Sequence, residues 1–197
     1  APSDALLAAL LLDEELLALA RGGVVDRSYV DHYLEAADGA LLKRGLALRL
    51  RVTDAGRWLE LKGSGSRARG ISRRPEWRQE APDGPLSHIA HLPEGPVRQR
   101  LLACVPHAAP LSALFSCVVR RLTLRLQIPA GGWMELSCDQ GEVRAGERRA
   151  VIREVELESL SGPNGAGFSF AWKLAGRHGL TVGVDSKFAT GLALLRG

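Results

Sequence analysis

The sequence is poor in cysteine, and its few cysteines form no recognisable framework. Cys104, Cys117 and Cys138 are odd in number, lie far apart and do not have the spacing of zinc ligands. Neither a disulfide scaffold nor a structural zinc site is therefore expected. We interpret all three as small apolar residues of a reducing compartment, and we expect a cytoplasmic protein.

The chain also lacks a long run of apolar residues. Leu6–Leu12 is apolar, but it ends at the acidic residues Asp13, Glu14 and Glu15, and no basic region precedes it. A membrane-spanning helix needs about 20 apolar residues, and a secretory signal begins with basic ones. The sequence predicts neither, and we expect no membrane partner.

No sign of charge dominates, since 26 Lys and Arg residues stand against 22 Asp and Glu. This balance permits an anionic ligand but is not that of a polycation. Nucleic acid is the weakest partner hypothesis, because aromatic residues that could stack on bases are few. The pattern G-x-x-x-x-G-K-[ST] of a P-loop is absent. The residues that would favour nucleic acid are Arg67, Arg69, Arg73 and Arg74, close to Trp77.

What the sequence does have is enough length and apolar content for one well-buried domain. It contains 197 residues, of which 46% are hydrophobic, and antiparallel barrels of this size are often undivided. We expect a single domain over residues 1–197. Within it, residues 1–22 should hold a helix, and a proline-rich helical connection over residues 81–110 should separate two strand-rich halves.

The most informative stretch is Arg153–Leu160, R-E-V-E-L-E-S-L. In a β-strand its three glutamates, Glu154, Glu156 and Glu158, project from one face. One interpretation is the solvated face of an open antiparallel sheet. The other is a polar interior in which the carboxylates hold a divalent metal such as Mg²⁺ or Mn²⁺. The stretch alone leaves both interpretations open.

Three further segments alternate in the same way, with basic residues on one face. Guanidinium groups grip phosphate oxygens, and carboxylates hold metal ions. Basic and acidic strands in one barrel would therefore suit a polyanion that arrives with divalent cations. The alternating residues are Arg49 and Arg51 in Leu46–Val52, Glu60 and Lys62 in Leu59–Lys62, and Arg121, Thr123 and Arg125 in Arg121–Leu126.

The order of the segments predicts an antiparallel sheet, because hairpins follow one another and helices are confined to the ends and the middle. Asp54-Ala55-Gly56 is one predicted turn. Pro75 should confine Ile71–Glu80 to an edge or a bulge. A hairpin through Gly141–Gly146 should lead into the acidic strand, with Asp139 as a turn former. The predicted fold class is α+β, mainly antiparallel β, closed into a barrel with a few flanking helices.

Six short motifs occur in a recognisable order between about Tyr33 and Leu195. They are G-L-A-L-R-L-R with Arg49 and Arg51, W-L-E-L-K-G with Lys62, R-P-E-W with Glu76, M-E-L-S-C-D-Q-G-E-V with Asp139, R-E-V-E-L-E-S-L with the three glutamates, and V-D-S-K with Lys187. In this order the chain resembles the CYTH superfamily, also called triphosphate tunnel metalloenzymes, and within it the bacterial inorganic triphosphatase branch.

The resemblance implies a closed or nearly closed eight-stranded tunnel that binds an inorganic or organic triphosphate. It also implies that a metal-positioned water attacks the terminal phosphorus, with Mg²⁺ or Mn²⁺ as cofactor. Family positions that grip phosphates match Arg49, Arg51, Lys62, Arg125 or its neighbour Arg121, and Lys187. Metal-binding positions match Glu154, Glu156 and Glu158, to which we add Asp139; Glu60, Glu76 and Arg78 are further candidates for the tunnel wall.

The chain departs from the family pattern at the first strand. The E-x-E-x-K motif is absent from the 197 residues, so either it lies upstream of Ala1 or the metal chemistry has been lost. Relatives show Y-[FY]-D-T-P-D where this chain has Tyr33–Asp38, Y-L-E-A-A-D, and E-W-E where it has Glu76-Trp77-Arg78. Two functions therefore remain. One is a metal-dependent triphosphatase, and the other is a tunnel that binds polyphosphate, a nucleotide or a phosphorylated ligand without cleaving it.

Overall fold

The computed structural model describes residues 3–68, 71–106, 109–129, 131–163, 167–182 and 185–197. The chain divides into two compact units. Unit 1 consists of Ala1–Ser28, Val119–Gly141 and Val151–Gly183, and unit 2 consists of Tyr29–Val118, Glu142–Ala150 and Val184–Gly197. Each unit is assembled from segments that are distant in sequence.

The described residues form two sheets. Their strands are β1 (Val25–Ala36), β2 (Ala47–Thr53), β3 (Gly56–Lys62), β4 (Ser66–Ala68), β5 (Ile71–Arg73), β6 (Glu76–Glu80), β7 (Leu111–Gln127), β8 (Trp133–Ala145) and β9 (Arg148–Ser161). The larger sheet has the order β6-β3-β2-β1-β7-β8-β9, and β4 pairs with β5. The predicted mainly antiparallel fold is confirmed. Where eight tunnel strands were predicted, the large sheet has seven in the described ranges, in an order that does not close β6 onto β9.

The antiparallel register of β1, β2, β3 and β6 in unit 2 sorts their side chains onto two faces. Residues paired across the four strands form rows, and because side chains alternate along a strand, every second row lies on the same face of the sheet. One face is charged, and the rows on the other face are mostly apolar. The two central rows of the charged face are Tyr33, Arg49, Glu60 and Arg78, and Asp31, Arg51, Trp58 and Glu80.

The apolar face of this sheet packs against the connection between β6 and β7. Leu59 and Leu61 from β3 are fully buried, as are Ile89 and Leu101 from the connection. The predicted helix is present as α3, Pro96–Leu102. Burial of leucine-sized side chains on both sides stabilises this packing by about 1.5–3 kcal/mol per residue. The core therefore packs against the apolar face of the sheet, and the charged face takes no part in this packing.

The segment between β1 and β2 is organised by a buried carboxylate. It forms two 3-10 turns, Ala37–Gly39 and Leu42–Arg44. Glu35 accepts hydrogen bonds from the backbone N–H groups of Leu41 and Leu42 at 2.7 and 3.0 Å. Backbone donors in a buried turn need such partners. Glu35 thereby fixes the approach of the chain to β2.

The N-terminal segment forms two short helices rather than the one predicted. They are α1 (Asp4–Leu11) and α2 (Glu14–Leu19). Asp13 separates them because its carboxylate caps the second helix, accepting a hydrogen bond from the Leu16 N–H at 3.0 Å. Ser3 caps the first helix, where its side chain accepts a hydrogen bond from the Leu6 N–H at 3.1 Å.

Unit 1 has its own core, in which these helices cover one face of β7 and β8. Leu10 and Leu16 pack with Leu126 and Leu136, and all four are fully buried. Phe170 from α4 (Phe168–Arg177) joins this cluster. The last helix, α5 (Lys187–Arg196), belongs to unit 2. No helix in the described ranges is long and apolar enough to span a membrane.

The hairpin before the acidic strand differs from the prediction. β8 runs through Gly141 without a break, and the chain turns at Gly146, whose φ of 57° favours glycine. Asp139 lies inside β8 and is 0% exposed, so its interpretation as a turn former is wrong. Its carboxylate tolerates burial because it forms an ion pair with Arg121. Ile71–Glu80 is not the single strand that was predicted, because Pro75 lies between β5, which pairs with β4, and β6. The edge position is confirmed for β6, which is an edge strand of the large sheet.

Candidate functional site

The charged face of unit 2 centres on Arg49 and Arg51, which β2 projects in the same direction. Asp31 from β1 lies between the two guanidinium groups and is 0% exposed. Arg51 donates from Nε and Nη2 to Asp31 at 2.7 and 2.8 Å. Arg49 donates from Nη1 to the same carboxylate at 3.0 Å. One buried aspartate therefore orients both arginines that were predicted to bind phosphate.

Arg49 has a second carboxylate partner on its other side. It donates from Nε to Glu60 at 2.8 Å, and Glu60 is only 8% exposed. Burial alone would raise the pKa of Glu60, but the positive charges of Arg49 and Arg51 outweigh it and hold that pKa below its usual value. Arg49 itself has a raised pKa despite burial, because Asp31, Tyr33 and Glu60 favour its charged form. Both shifts favour the ion pair between Arg49 and Glu60.

Lys62 extends the charged face towards the end of β3. Its Nζ lies 3.2 Å from Glu76 on β6, and Arg74 lies 3.0 Å from the same carboxylate. Burial and the neighbouring charge of Arg49 lower the pKa of Lys62, although Glu76 opposes this. Lys62 thus lies in a concentration of positive charge that includes Arg49, as a binding surface for phosphate requires.

Aromatic rings lie beside the arginines on this face. The guanidinium of Arg51 is 3.9 Å from the ring centroid of Tyr29. Arg78 stacks 4.2 Å from the ring of Trp58, and its Nε is 3.6 Å from Glu60. Stacking on a ring holds a guanidinium in place while leaving its edges available for hydrogen bonds.

Unit 1 carries a second charged group, built mainly from carboxylates. Asp139 of β8 and Glu154 and Glu156 of β9 bring ligand oxygens within 4.8 Å of one another. The odd-numbered neighbours Val155 and Leu157 pack against the core of unit 1. The alternation predicted from the sequence is therefore confirmed, and it aims the glutamates away from that core.

Arg121 of β7 is the cation of this second group. It donates from Nε and Nη2 to the two carboxylate oxygens of Asp139 at 2.6 and 2.7 Å. The same Nη2 donates to Glu156 at 2.7 Å. Arg121 thus bridges two of the three clustered carboxylates. The family resemblance had implied that Arg121 or Arg125 binds phosphate.

The donor set of this group fits a hard divalent cation. Two oxygens bound to one Mg²⁺ at about 2.1 Å each can lie at most about 4.2 Å apart, so separations within 4.8 Å need only a small adjustment. Three carboxylates also supply the negative charge that Mg²⁺ or Mn²⁺ prefers. Glu158, the fourth predicted metal ligand, is exposed and is outside this group of three in the described residues.

The remaining predicted site residues lie in different surroundings. Arg125 is exposed and stacks 4.6 Å from the ring of Trp133 in unit 1. Lys187 is the first residue of α5 in unit 2 and is buried. Of the arginines considered for nucleic acid, Arg69 and the side chain of Arg67 lie outside the described residues. Trp77, which was to accompany them, packs against the core of unit 2.

Sequence reasoning missed Asp31, the residue on which the charged face of unit 2 depends. A signal was present, since Asp31, Tyr33 and Glu35 alternate with His32 and Leu34, as the basic strands alternate. The alternation does not give the register of this segment against β2. Pairing of Asp31 with Arg51 and of Tyr33 with Arg49 is a tertiary fact that a single strand does not reveal.

Comparison with known proteins gives one family and a common fold. The model of the CYTH domain matches residues 7–191. The structure is similar to that of HpAC1 from Hippeastrum, a putative adenylyl cyclase described as having a dominant triphosphatase activity. The TM-score is 0.69 at 18% identity, covering 98% of this chain and 91% of that one.

Two microbial structures share the fold as well. A putative adenylate cyclase from Bacillus halodurans matches with a TM-score of 0.61 and 19% identity, over 96% of this chain and 92% of that one. The PH1819 protein from Pyrococcus horikoshii OT3 matches with a TM-score of 0.53 and 14% identity, over 97% and 94%. At these identities the likeness establishes the fold alone.

Proposed function

Because this chain belongs to the CYTH family, we propose that it binds a triphosphate and hydrolyses its terminal phosphoanhydride with the help of a divalent metal. The observation that carries the proposal is the convergence of Asp139, Glu154 and Glu156. The substrate is inorganic tripolyphosphate or a nucleoside triphosphate. The triphosphatase activity described for the Hippeastrum protein supports this choice.

The chemistry requires positioning and charge neutralisation more than a covalent intermediate. Water attacks the terminal phosphorus, the bridging P–O bond breaks, and inorganic phosphate and a diphosphate are formed, with a proton released to solvent. In unit 2, Arg49, Arg51 and Lys62 are suited to neutralise phosphate oxygens, with Asp31 holding the two guanidinium groups in place. In unit 1, Asp139, Glu154 and Glu156 would hold Mg²⁺ or Mn²⁺, which would supply charge neutralisation and an activated water.

The thiols are consistent with a cytoplasmic location and with chemistry that needs no cysteine nucleophile. Cys104, Cys117 and Cys138 form no disulfide bond within the described residues, as a reducing compartment permits. Burial raises the pKa of Cys138 to about 12, so this thiol is not a nucleophile at neutral pH. These observations support the proposed location and mechanism.

The test is phosphate release from tripolyphosphate in Mg²⁺ or Mn²⁺, with Glu156→Gln and Glu158→Gln as a matched pair. Both changes remove one carboxylate from the same face of β9, but only Glu156 belongs to the cluster. We expect Glu156→Gln to lower the rate by about 100-fold or more, as loss of a group that stabilises the transition state does. Glu158→Gln should retain most of the activity. Equal rates in Glu156→Gln and wild type would refute the assignment.

A second candidate function is binding without cleavage, and one observation favours it. Arg49 and Arg51 are held in place by buried carboxylates of unit 2, so their positions do not depend on a bound metal. In that case tripolyphosphate would raise the melting temperature with no release of phosphate. Arg51→Gln, checked by circular dichroism for a native fold, should weaken this binding, and an unchanged affinity would exclude the charged face of unit 2 as the binding site.

A further inference from the structure

The position of Arg121 raises a conflict between two roles. Its guanidinium is held by Asp139 and Glu156 through three hydrogen bonds of 2.6 to 2.7 Å. Those two carboxylates are also members of the only three-carboxylate cluster found in the described residues. A guanidinium and a divalent cation a few ångströms apart repel each other, so they compete for this group.

Arg121 has one buried and one exposed partner. Asp139 is 0% exposed, whereas Glu156 is 48% exposed and the side chain of Arg121 is 19% exposed. A long side chain near the surface has other rotamers within reach. An ion pair with an exposed partner also contributes little to stability, typically below about 1 kcal/mol. Its contact with Glu156 is therefore one that a stronger cation can displace.

We propose that Arg121 is a built-in cation that neutralises Asp139 and Glu156 in the metal-free protein and is released towards phosphate when these carboxylates coordinate a divalent metal. This inference rests on the proposed function, because it assigns the metal to the same cluster. It makes Arg121 a coupling residue: metal binding makes its charge available to the triphosphate, so the two ligands favour each other's binding.

The alternative role for Arg121 predicts the opposite effect on metal affinity. If Arg121 only supported the carboxylates in a fixed arrangement, its removal would disorder the cluster and weaken metal binding. If Arg121 competes with the metal, its removal takes away a positive charge that repels the metal and strengthens metal binding. The direction of the change therefore separates the two roles.

The first experiment measures Mn²⁺ binding to the full chain by calorimetry and by the electron paramagnetic resonance of free Mn²⁺, without any phosphate. Arg121→Gln should raise the Mn²⁺ affinity by at least about fivefold, the lower end of typical couplings between sites. Arg120→Gln is the matched control, since this exposed neighbour pairs with Asp26 and not with the cluster. It should leave the affinity within about twofold of wild type. An unchanged or lower affinity in Arg121→Gln would overturn the inference.

The second experiment measures tripolyphosphate binding with EDTA and, separately, with excess Mg²⁺, in which all of the ligand is the magnesium complex. Arg121→Gln should have no effect in EDTA, where Arg121 is held by carboxylates, and should weaken binding at least about fivefold in Mg²⁺. Equal effects in both conditions would overturn the coupling.

The two proposals fail in different ways. If Glu156→Gln abolishes Mn²⁺ binding but Arg121→Gln does not raise it, the metal site stands and the coupling role is wrong. If the wild-type chain binds no Mn²⁺, the proposed metal site fails and the inference fails with it.

Discussion

The two units contain charged groups that look alike in sequence but differ in balance and depth. In unit 2, Arg49 and Arg51 face Asp31 and Glu60, so two cations meet two anions, and all four side chains are at most 14% exposed. In unit 1, Arg121 pairs with Asp139 and Glu156, which form a group of three carboxylates with Glu154. Asp139 is 0% exposed, but this group reaches the surface at Glu156, which is 48% exposed.

This difference indicates what each group is suited to do. A buried network with equal numbers of cations and anions gains little from a further cation. Burial removes water from its charged groups, and only the full set of partners compensates for this loss, so the side chains are held in one geometry. A group of three carboxylates that reaches the surface at Glu156 favours an added cation. The first is therefore a rigid frame for arginines, and the second is a site that can respond to a metal.

The largest expected effect is that of Asp31→Ala on stability. This change leaves Arg49 and Arg51 buried without their shared carboxylate, and removal of one member of a buried ion pair costs about 3–5 kcal/mol. The free energy of unfolding, measured by urea denaturation, should fall by this amount.

The matched change in unit 1 is Glu156→Ala, which removes a partner of Arg121 while Asp139 remains. Because Glu156 is exposed, the expected loss is below about 1 kcal/mol. Similar losses for Asp31→Ala and Glu156→Ala would contradict the distinction between a rigid frame and a responsive site.

A smaller effect is expected for Glu60→Gln, and it should depend on pH. The pKa of Glu60 is lower in the folded protein than its ordinary value of 4.5 because Arg49 and Arg51 outweigh burial. Its charge therefore stabilises the fold fully above about pH 4.5, and this contribution is lost as the pH falls through the folded pKa. At pH 7 the variant should lose about 1.5–3 kcal/mol, the usual contribution of hydrogen bonds to charged groups.

The measurement is the unfolding free energy of wild type and Glu60→Gln from pH 7 down to pH 3. The difference between the two proteins should shrink below pH 4.5. A difference that stays constant over this range would show that the charge of Glu60 does not stabilise unit 2.

Within unit 2, the smallest expected effect is that of Arg78→Gln, at the margin of the same network. Arg78 is exposed, lies 3.6 Å from Glu60 and stacks on Trp58. Exposed ion pairs and exposed cation–π contacts each contribute about 1 kcal/mol or less. Thermal unfolding should therefore change by only a few degrees. A loss as large as that of Glu60→Gln would mean that the frame extends to β6.

The alternation of charged and apolar residues was sufficient to predict most strands and the faces on which the candidate residues lie. Arg49 and Arg51, Arg121 and Arg125, and the glutamates of β9 are all on the predicted sides, because a strand has a fixed period of two. The mainly antiparallel fold and the family also followed from the order of the motifs. The prediction was wrong at Asp139 and Gly141, which are residues typical of turns. Both lie inside β8, because this strand pairs with β7 and β9 on its two sides.

What the sequence by itself determined, then, is which residues share a strand face and which sign of charge that face carries. Only the tertiary structure decided the partners: that Asp31 joins Arg49 to Arg51, and that Arg121 turns to Asp139 and Glu156. The physical reason is that strand period is a local property of the backbone, whereas an ion pair forms between residues brought together by register and strand order. Asp31 and Arg51 are 20 residues apart in sequence, and no local pattern records that distance.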